Sequence, residues 1–292
     1  MKKRILILAL AALVSFGGIA TAQDLGLTVG AEFVIPDFDN IDFFGMALRP
    51  FVEYENNELV DGLDLMAGLG FIIAPIGSDV VDAQFNIDAE LDLYYGLDLG
   101  SGMGLGFGLN FGLATSNLTG DADLTVGFEL TPRVRFEMEM ADLGDIYAQV
   151  ELPIGFDTEK DSDATMGLNF WAGLFMDMGL GIELGLAGYP TLFSSGVGID
   201  FGLGDGNEAG LESFALVPSY RYDFLYAELG VYIPLVEKGM DTVGLTLVPR
   251  VEVDFTTIAV PGLKAWVELP ISSLGTDGDN IIGLTIGVSY SF

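Results

Sequence analysis

Between Met103 and Leu113 the chain reads MGLGFGLNFGL, with a large apolar residue at every odd position and glycine or asparagine at every even one. Side chains of an extended chain point alternately to opposite faces, so this spacing makes a strand with one apolar face and one nearly bare face. A helix would scatter the same residues around its axis. The pattern recurs in 124–137, where Leu124, Val126, Phe128, Leu130, Val134 and Phe136 oppose Thr125, Glu129, Arg133, Arg135 and Glu137. It also fills the last twelve residues, IIGLTIGVSYSF. No helical period competes over any long window.

Counting these segments between turn-rich acidic stretches predicts fourteen strands, near 24–36, 43–55, 61–74, 82–98, 102–115, 121–139, 144–156, 163–177, 179–190, 210–222, 224–236, 241–256, 262–272 and 281–292. Four similar stretches, RPFVEY at 49, PRVRF at 132, PSYRY at 218 and PRVEVDF at 249, each precede a short turn and a second strand. If these hairpins share one orientation, an even number of strands separates their starts. The alternating segment inside 188–210 then belongs to a loop or extends a neighbouring strand, and the total stays even, with 12 or 16 as the alternatives to 14.

Composition says what the apolar faces meet. The chain is 50% hydrophobic with a mean hydropathy of +0.48, yet it carries 43 acidic residues against 11 basic ones. Strands with apolar residues on one face and small or charged residues on the other, joined by acidic loops, accommodate both facts. Strands of about 9–11 residues tilted near 45° span a bilayer, and only a closed barrel leaves no unpaired backbone edge in lipid. Period counting puts Arg49, Arg133, Arg135, Arg221, Arg250 and Lys264 on the inner face, and Lys160 and Lys238 in loops. A lipid-facing cation at the bilayer midplane costs about 2–4 kcal/mol, so this placement favours the membrane. The aromatics Tyr54, Tyr95, Phe136, Tyr222, Phe255, Tyr290 and Phe292 fall outward near the ends of alternate strands, where a membrane interface favours them.

Residues 1–22 read as a cleaved export signal: Lys2, Lys3 and Arg4, then ILILALAALV, then Ala20-Thr21-Ala22. The expected organisation is this signal followed by one all-β domain over 23–292, a closed antiparallel transmembrane up-and-down barrel. The closing strand, with Leu284, Ile286, Val288, Tyr290 and Phe292 on one face, resembles the assembly signal of bacterial outer-membrane β-barrel proteins. That resemblance implies a porin-like barrel in the cell outer membrane, in contact with membrane lipid and recognised by the outer-membrane assembly machinery. The signal followed by AQDLGLTVGAEF also resembles small spirochaete-type barrels.

The chemistry the chain permits is narrow. Without histidine or cysteine it lacks the bases of the histidine-dependent outer-membrane enzymes and any thiolate or imidazole metal site. Glu137 and Glu139 share an inner face beside Arg133 and Arg135, which favours a charge ladder over acid–base work. The acidic stretches 157–165, 204–210 and 276–280 lack the spacing of a calcium loop. Glycines of period two inside a strand are no phosphate cradle. No enzyme, catalytic residue, metal, cofactor or nucleic-acid partner is expected.

Function is therefore expected in the lumen. The candidate lining residues are the six cations above with Glu129, Glu137, Glu151, Glu228, Glu252 and Glu268. Inward glycines at 104, 106, 108, 181, 185, 283 and 287 are expected to leave lumen volume unfilled. If the repeats align, Arg49, Arg133, Arg221 and Arg250 form a partial basic ladder opposed by Glu151, Glu228 and Glu268. The leading expectation is a channel for passive diffusion of small polar solutes or cations, weakly cation-selective because acid outnumbers base. Its alternatives are a non-conducting structural or adhesive barrel, and a hydrophobic-compound transporter resembling the fourteen-stranded fatty-acid transport family. That family has an N-terminal hatch, whereas alternation here begins at Leu25.

Overall fold

The computed structural model describes residues 26–39, 45–76, 84–116, 118, 124–141, 143–158, 164–187, 199–200, 210–211, 213–234, 244–256, 258, 260–274 and 280–292. They form one closed antiparallel up-and-down β-barrel of fourteen strands, with no helix among them. The strands are β1 Leu27–Ile35, β2 Met46–Val60, β3 Leu63–Ile76, β4 Gln84–Gly100, β5 Met103–Ser116 and β6 Thr125–Met140. Then β7 runs Gly144–Glu151 and, past Pro153, Ile154–Asp157, followed by β8 Thr165–Met176, β9 Leu180–Ala187, β10 Ser213–Tyr222, β11 Leu225–Pro234 and β12 Leu245–Asp254. Finally β13 runs Leu263–Glu268 and, past Pro270, Ile271–Leu274, and β14 runs Ile281–Ile282 and Leu284–Ser291. The proposed signal segment lies outside the described residues.

Each strand pairs with its sequence neighbours, and β1 closes the cylinder on β14 from Thr28↔Ser291 to Ile35↔Leu284. Closure removes the unpaired backbone edges that an open sheet must protect. The alternating segment inside 188–210 lies outside the described residues except for Ile199, Asp200 and Gly210. Ile199 and Asp200 lie beside Leu168 and Gly167 of β8 and pair with Gly210–Leu211, so they extend the β8–β10 wall beyond Ala187.

The repeated hairpins coincide in register. In the second and fourth, Pro132 and Pro249 accept hydrogen bonds from Leu152 N–H and Leu269 N–H, both 3.0 Å. Leu152 and Leu269 each precede the proline that interrupts β7 or β13, so the ELPI sequences at 151 and 268 occupy equivalent places. The same register sets Arg133 opposite Glu151 and Arg250 opposite Glu268.

The barrel has two unlike ends. Tight turns join β2 to β3, β4 to β5, β6 to β7, β8 to β9 and β10 to β11 at the end where β1 starts and β14 stops. Ser101 and Gly102, with φ 58° and 73°, make the turn between β4 and β5, the left-handed pair that matches strand twist in a two-residue hairpin. Residues 255–262 join β12 to β13 at the same end, and the connections at the other end run from six residues, 275–280, upward. The outward tyrosines Tyr54, Tyr95, Tyr220, Tyr222 and Tyr290 all lie toward the turn end. Outward phenylalanines also occur near the loop end, where Phe71 and Phe85 stack at 5.6 Å. Aromatic residues therefore border the barrel at both ends, and only tyrosine favours one of them.

Register parity makes the outer surface apolar. Phe107, Val134, Ile182, Val251, Val267 and Ile286 are all between 41% and 47% exposed, on six strands around the barrel. A belt of that kind on every side exceeds the isolated patches that soluble monomers show.

The inner face corrects the expectation about glycine. Large side chains lie flat over most of those glycines: Tyr94 over Gly106, Arg133 over Gly108, Phe175 over Gly181, Trp171 over Gly185 and Trp266 over Gly287. Gly283 is hemmed in by backbone and Pro270, and Gly104 alone of the seven has no neighbour closer than 3.8 Å to a built Cβ. The glycines make room for rings against the wall, so the space is shared with aromatics rather than left free. A Gly287→Val exchange should drive a side chain into the Trp266 ring and destabilise the barrel by about 1–3 kcal/mol. The check is a lower urea midpoint for unfolding in detergent, partly recovered by adding Trp266→Ala.

Candidate functional site: the barrel interior

Because neighbouring strands pair residue to residue, one inward position sets the parity of the whole wall. Ala215 is fully buried under Trp171 and Tyr232, so odd residues of β10 face inward. Following the pairings around the cylinder turns Arg49 of β2, Arg133 and Arg135 of β6, Arg221 of β10, Arg250 of β12 and Lys264 of β13 inward. The same pairings turn Glu129, Glu137, Glu151, Glu228, Glu252 and Glu268 inward.

The cations are engaged along the wall. Arg133 Nη2 lies 2.6 Å from Asp92 Oδ2, and Arg135 Nε lies 2.6 Å from Glu137 Oε1. Arg250 and Lys264 share Glu252, at 3.2 and 3.5 Å. Four arginines also lie over rings: Arg133 over Tyr94 at 5.5 Å, Arg135 over Tyr147 at 4.1 Å, Arg221 over Tyr226 at 5.3 Å and Arg250 over Trp266 at 5.7 Å. A guanidinium on a ring keeps its N–H edges free while its face is desolvated on an apolar surface.

The carboxylates are bonded too. Tyr147 donates to Glu183, Tyr226 to Glu228 at 2.5 Å, and Asn110 to Glu90 at 2.5 Å. Glu151 accepts from Gln149 and Asn169, and Glu129, only 6% exposed, accepts from Thr131 at 2.9 Å. The side chains thus do not follow the register alone. Arg133 faces Glu151 in the ladder but reaches Asp92 across β5, and Arg250 lies between Glu228 and Glu268 but bonds Glu252 on its own strand.

Opposite charges alternate between neighbouring strands of β10–β14, as Glu228, Arg250 and Glu268 do. By contrast β1–β4 bring Glu32, Glu53, Asp64, Asp88, Glu90 and Asp92 inward with Arg49 the one basic residue among their described positions. The lumen therefore has an acidic wall and a mixed wall.

The interior aromatics were absent from the sequence expectation. Phe51, Tyr94, Tyr147, Trp171, Phe175, Tyr226, Tyr232 and Trp266 all face inward, including both tryptophans of the chain. Parity held the signal: Trp266 lies between Lys264 and Glu268, two residues already placed inside. Tyr147 and Phe175 stack at 6.1 Å, and Phe51 meets Trp266 at 6.4 Å.

Two cavities open inside the ring of strands. One of about 770 Å³ lies toward the turn end and is lined by Tyr94, Arg135, Glu137, Tyr147, Phe175 and Arg221 among others. A second of about 420 Å³ is lined by Asp64, Asp92 and Arg133 and shares Tyr94, Arg135 and Glu137 with the first. No group of His, Cys, Asp and Glu side chains among the described residues has the geometry of a metal site. On β14, Leu284, Ile286, Val288 and Tyr290 face outward, and Phe292 packs edge-on against Tyr290 at 4.9 Å while its N–H donates to Leu27.

No protein-family model matches the chain, and no curated protein matches it. Among solved structures it is similar to the KdgM porin at 11% identity and a TM-score of 0.43, over 91% of this chain and 99% of that one. It is similar to OccK11 (OpdR) of Pseudomonas aeruginosa at 13% identity and 0.44, over 91% and 94%. The toluene transporter TodX of Pseudomonas putida gives 10% and 0.46, over 94% and 90%. At these identities and scores, every assignment of the interior rests on the chain's own geometry.

The Arg133–Asp92 pair is largely enclosed, with side-chain exposures of 20% and 15%. Arg133→Ala should lower stability by about 1–3 kcal/mol by leaving the carboxylate without its partner. Unfolding of the single variants and of Arg133→Ala/Asp92→Ala together provides the check: the double exchange should cost less than the two single costs added.

Proposed function

We propose that the protein is a bacterial outer-membrane channel for passive diffusion of small hydrophilic solutes or ions, weakly cation-selective, exported by residues 1–22 as a cleaved signal. The observation that carries this reading is the combination of an apolar belt around a closed cylinder with charged, hydrogen-bonded side chains inside it. In water the belt is unfavourable; in hydrocarbon it is favourable, and each strand of the closed ring is paired on both sides. The turn end then faces the periplasm and the other end faces outward, as in bacterial barrels with short periplasmic turns.

The six inward cations and the inward glutamates form the pore lining in this reading. The acidic wall of β1–β4 leaves the lumen net negative and draws cations by a ring-charge effect. The outward residues Leu284, Ile286, Val288, Tyr290 and Phe292 serve the assembly machinery. Catalysis has no part in the proposal.

Planar-bilayer recording under a salt gradient tests it. Discrete conductance steps with a reversal potential on the cation side are expected; silence, or anion preference, counts against the reading. The packing of Trp171 and Tyr232 over Ala215 favours one rival, a barrel closed to solutes, and liposome swelling with small sugars separates the two. The belt makes a separate forecast. Leu109, paired with Leu93 and Pro132 at mid-strand, points outward. Leu109→Arg should cost about 2–4 kcal/mol of folding free energy in lipid vesicles.

A further inference from the structure

The turn-end cavity is lined by charges of both signs, and Arg221, Glu139 and Asp145 among them form no ion pair among the described residues. Arg221 projects into it with its face on Tyr226 and forms no ion pair among the described residues. Arg135, stacked on Tyr147, uses Nε toward Glu137 and lines the same space. On the same cavity Glu139 of β6 stands directly opposite Asp145 of β7 in the ladder, and neither forms an ion pair among the described residues. Like charges directly opposite each other destabilise a strand pair, so this position favours a cation between them. The ring faces of Tyr147 and Tyr226 are covered by guanidinium groups, which argues against a solute that binds by stacking on them.

From this arrangement we infer that the cavity is a binding chamber for a small zwitterion, such as a short peptide with free termini. The solute carboxylate docks on the N–H edges of Arg221 and Arg135, and its ammonium group docks between Glu139 and Asp145. A guanidinium held flat on a ring is already positioned for a carboxylate, so little freedom is lost on binding. A simple anion meets the carboxylates of the lining, and a simple cation leaves Arg221 without a counter-charge; a solute with both charges satisfies both ends. A volume of about 770 Å³ is within the range of small-ligand sites. The inference deepens the channel reading only in requiring that solutes reach the interior from solution.

Isothermal titration of the full barrel folded in detergent tests it without relying on conductance. The probes are trialanine, N-acetyl-trialanine and trialanine amide at neutral pH. Trialanine is expected to bind at least tenfold more tightly than either blocked peptide. Arg221→Gln should weaken it tenfold or more, and Glu139→Gln should reduce its advantage over the N-acetylated peptide, with the strand spectrum retained by circular dichroism. Equal binding of all three probes, no binding at all, or an unaffected Arg221→Gln overturns the chamber. Zwitterion binding in a barrel that carries no current would sustain the chamber and defeat the channel; conductance without charge-pattern preference would do the reverse.

Discussion

The backbone pairing of β1 with β14 is the constraint on which the rest of the molecule depends. Once the first and last strands join, every N–H and C=O along the ladder has a neighbour on both sides, and the sheet needs no protected edge. Only then does period-two alternation sort residues into an inside and an outside. A slip of one residue in the pairing of β14 with both of its neighbours would turn Leu284, Ile286 and Val288 inward and Thr285, Gly287 and Ser289 outward.

Inside, the chain has to hold many charges in a confined space. Isolated ions in such a setting cost several kcal/mol each, and the lining avoids that cost in two ways. Carboxylates take hydrogen bonds from Tyr147, Tyr226, Asn110 and Gln149, while arginines pair with carboxylates or lie on rings. Glycine is what makes the second device fit. Trp266 can lie against the wall only because Gly287 beside it has no side chain, and Trp171 stands in the same relation to Gly185. Rings laid flat in this manner keep polar edges, rather than bulk, toward the centre.

Internal repetition explains why one part of this lining resembles another. The PRV sequences at 132 and 249 meet the ELP sequences at 151 and 268 in the same register, so each hairpin presents an arginine opposite a glutamate. Yet Arg133 bonds Asp92 and Arg250 bonds Glu252. Equivalent sequence places the backbone equivalently, but the flanking strands are unlike: Arg133 crosses Gly108 of β5 to Asp92, while Arg250 faces Glu228 of β11 and bonds along its own strand.

Alternation, which is local and needs no partner to be read, already gave the all-β class, a count near fourteen strands with 12 and 16 as alternatives, and the inward side of Arg49, Arg133, Arg135, Arg221, Arg250 and Lys264; the even count across 188–210 came from the repeated hairpins. Alternation held the place of Trp266 as well, since that residue lies between two inward charges. The use of inward glycine was not legible, because whether Gly185 or Gly287 leaves a gap depends on the residue paired with it on the next strand. Nor were the ion-pair partners, the acidic and mixed walls or the turn-end cavity. These depend on which residues meet across strands far apart in sequence, and that is decided only when the register closes into a ring.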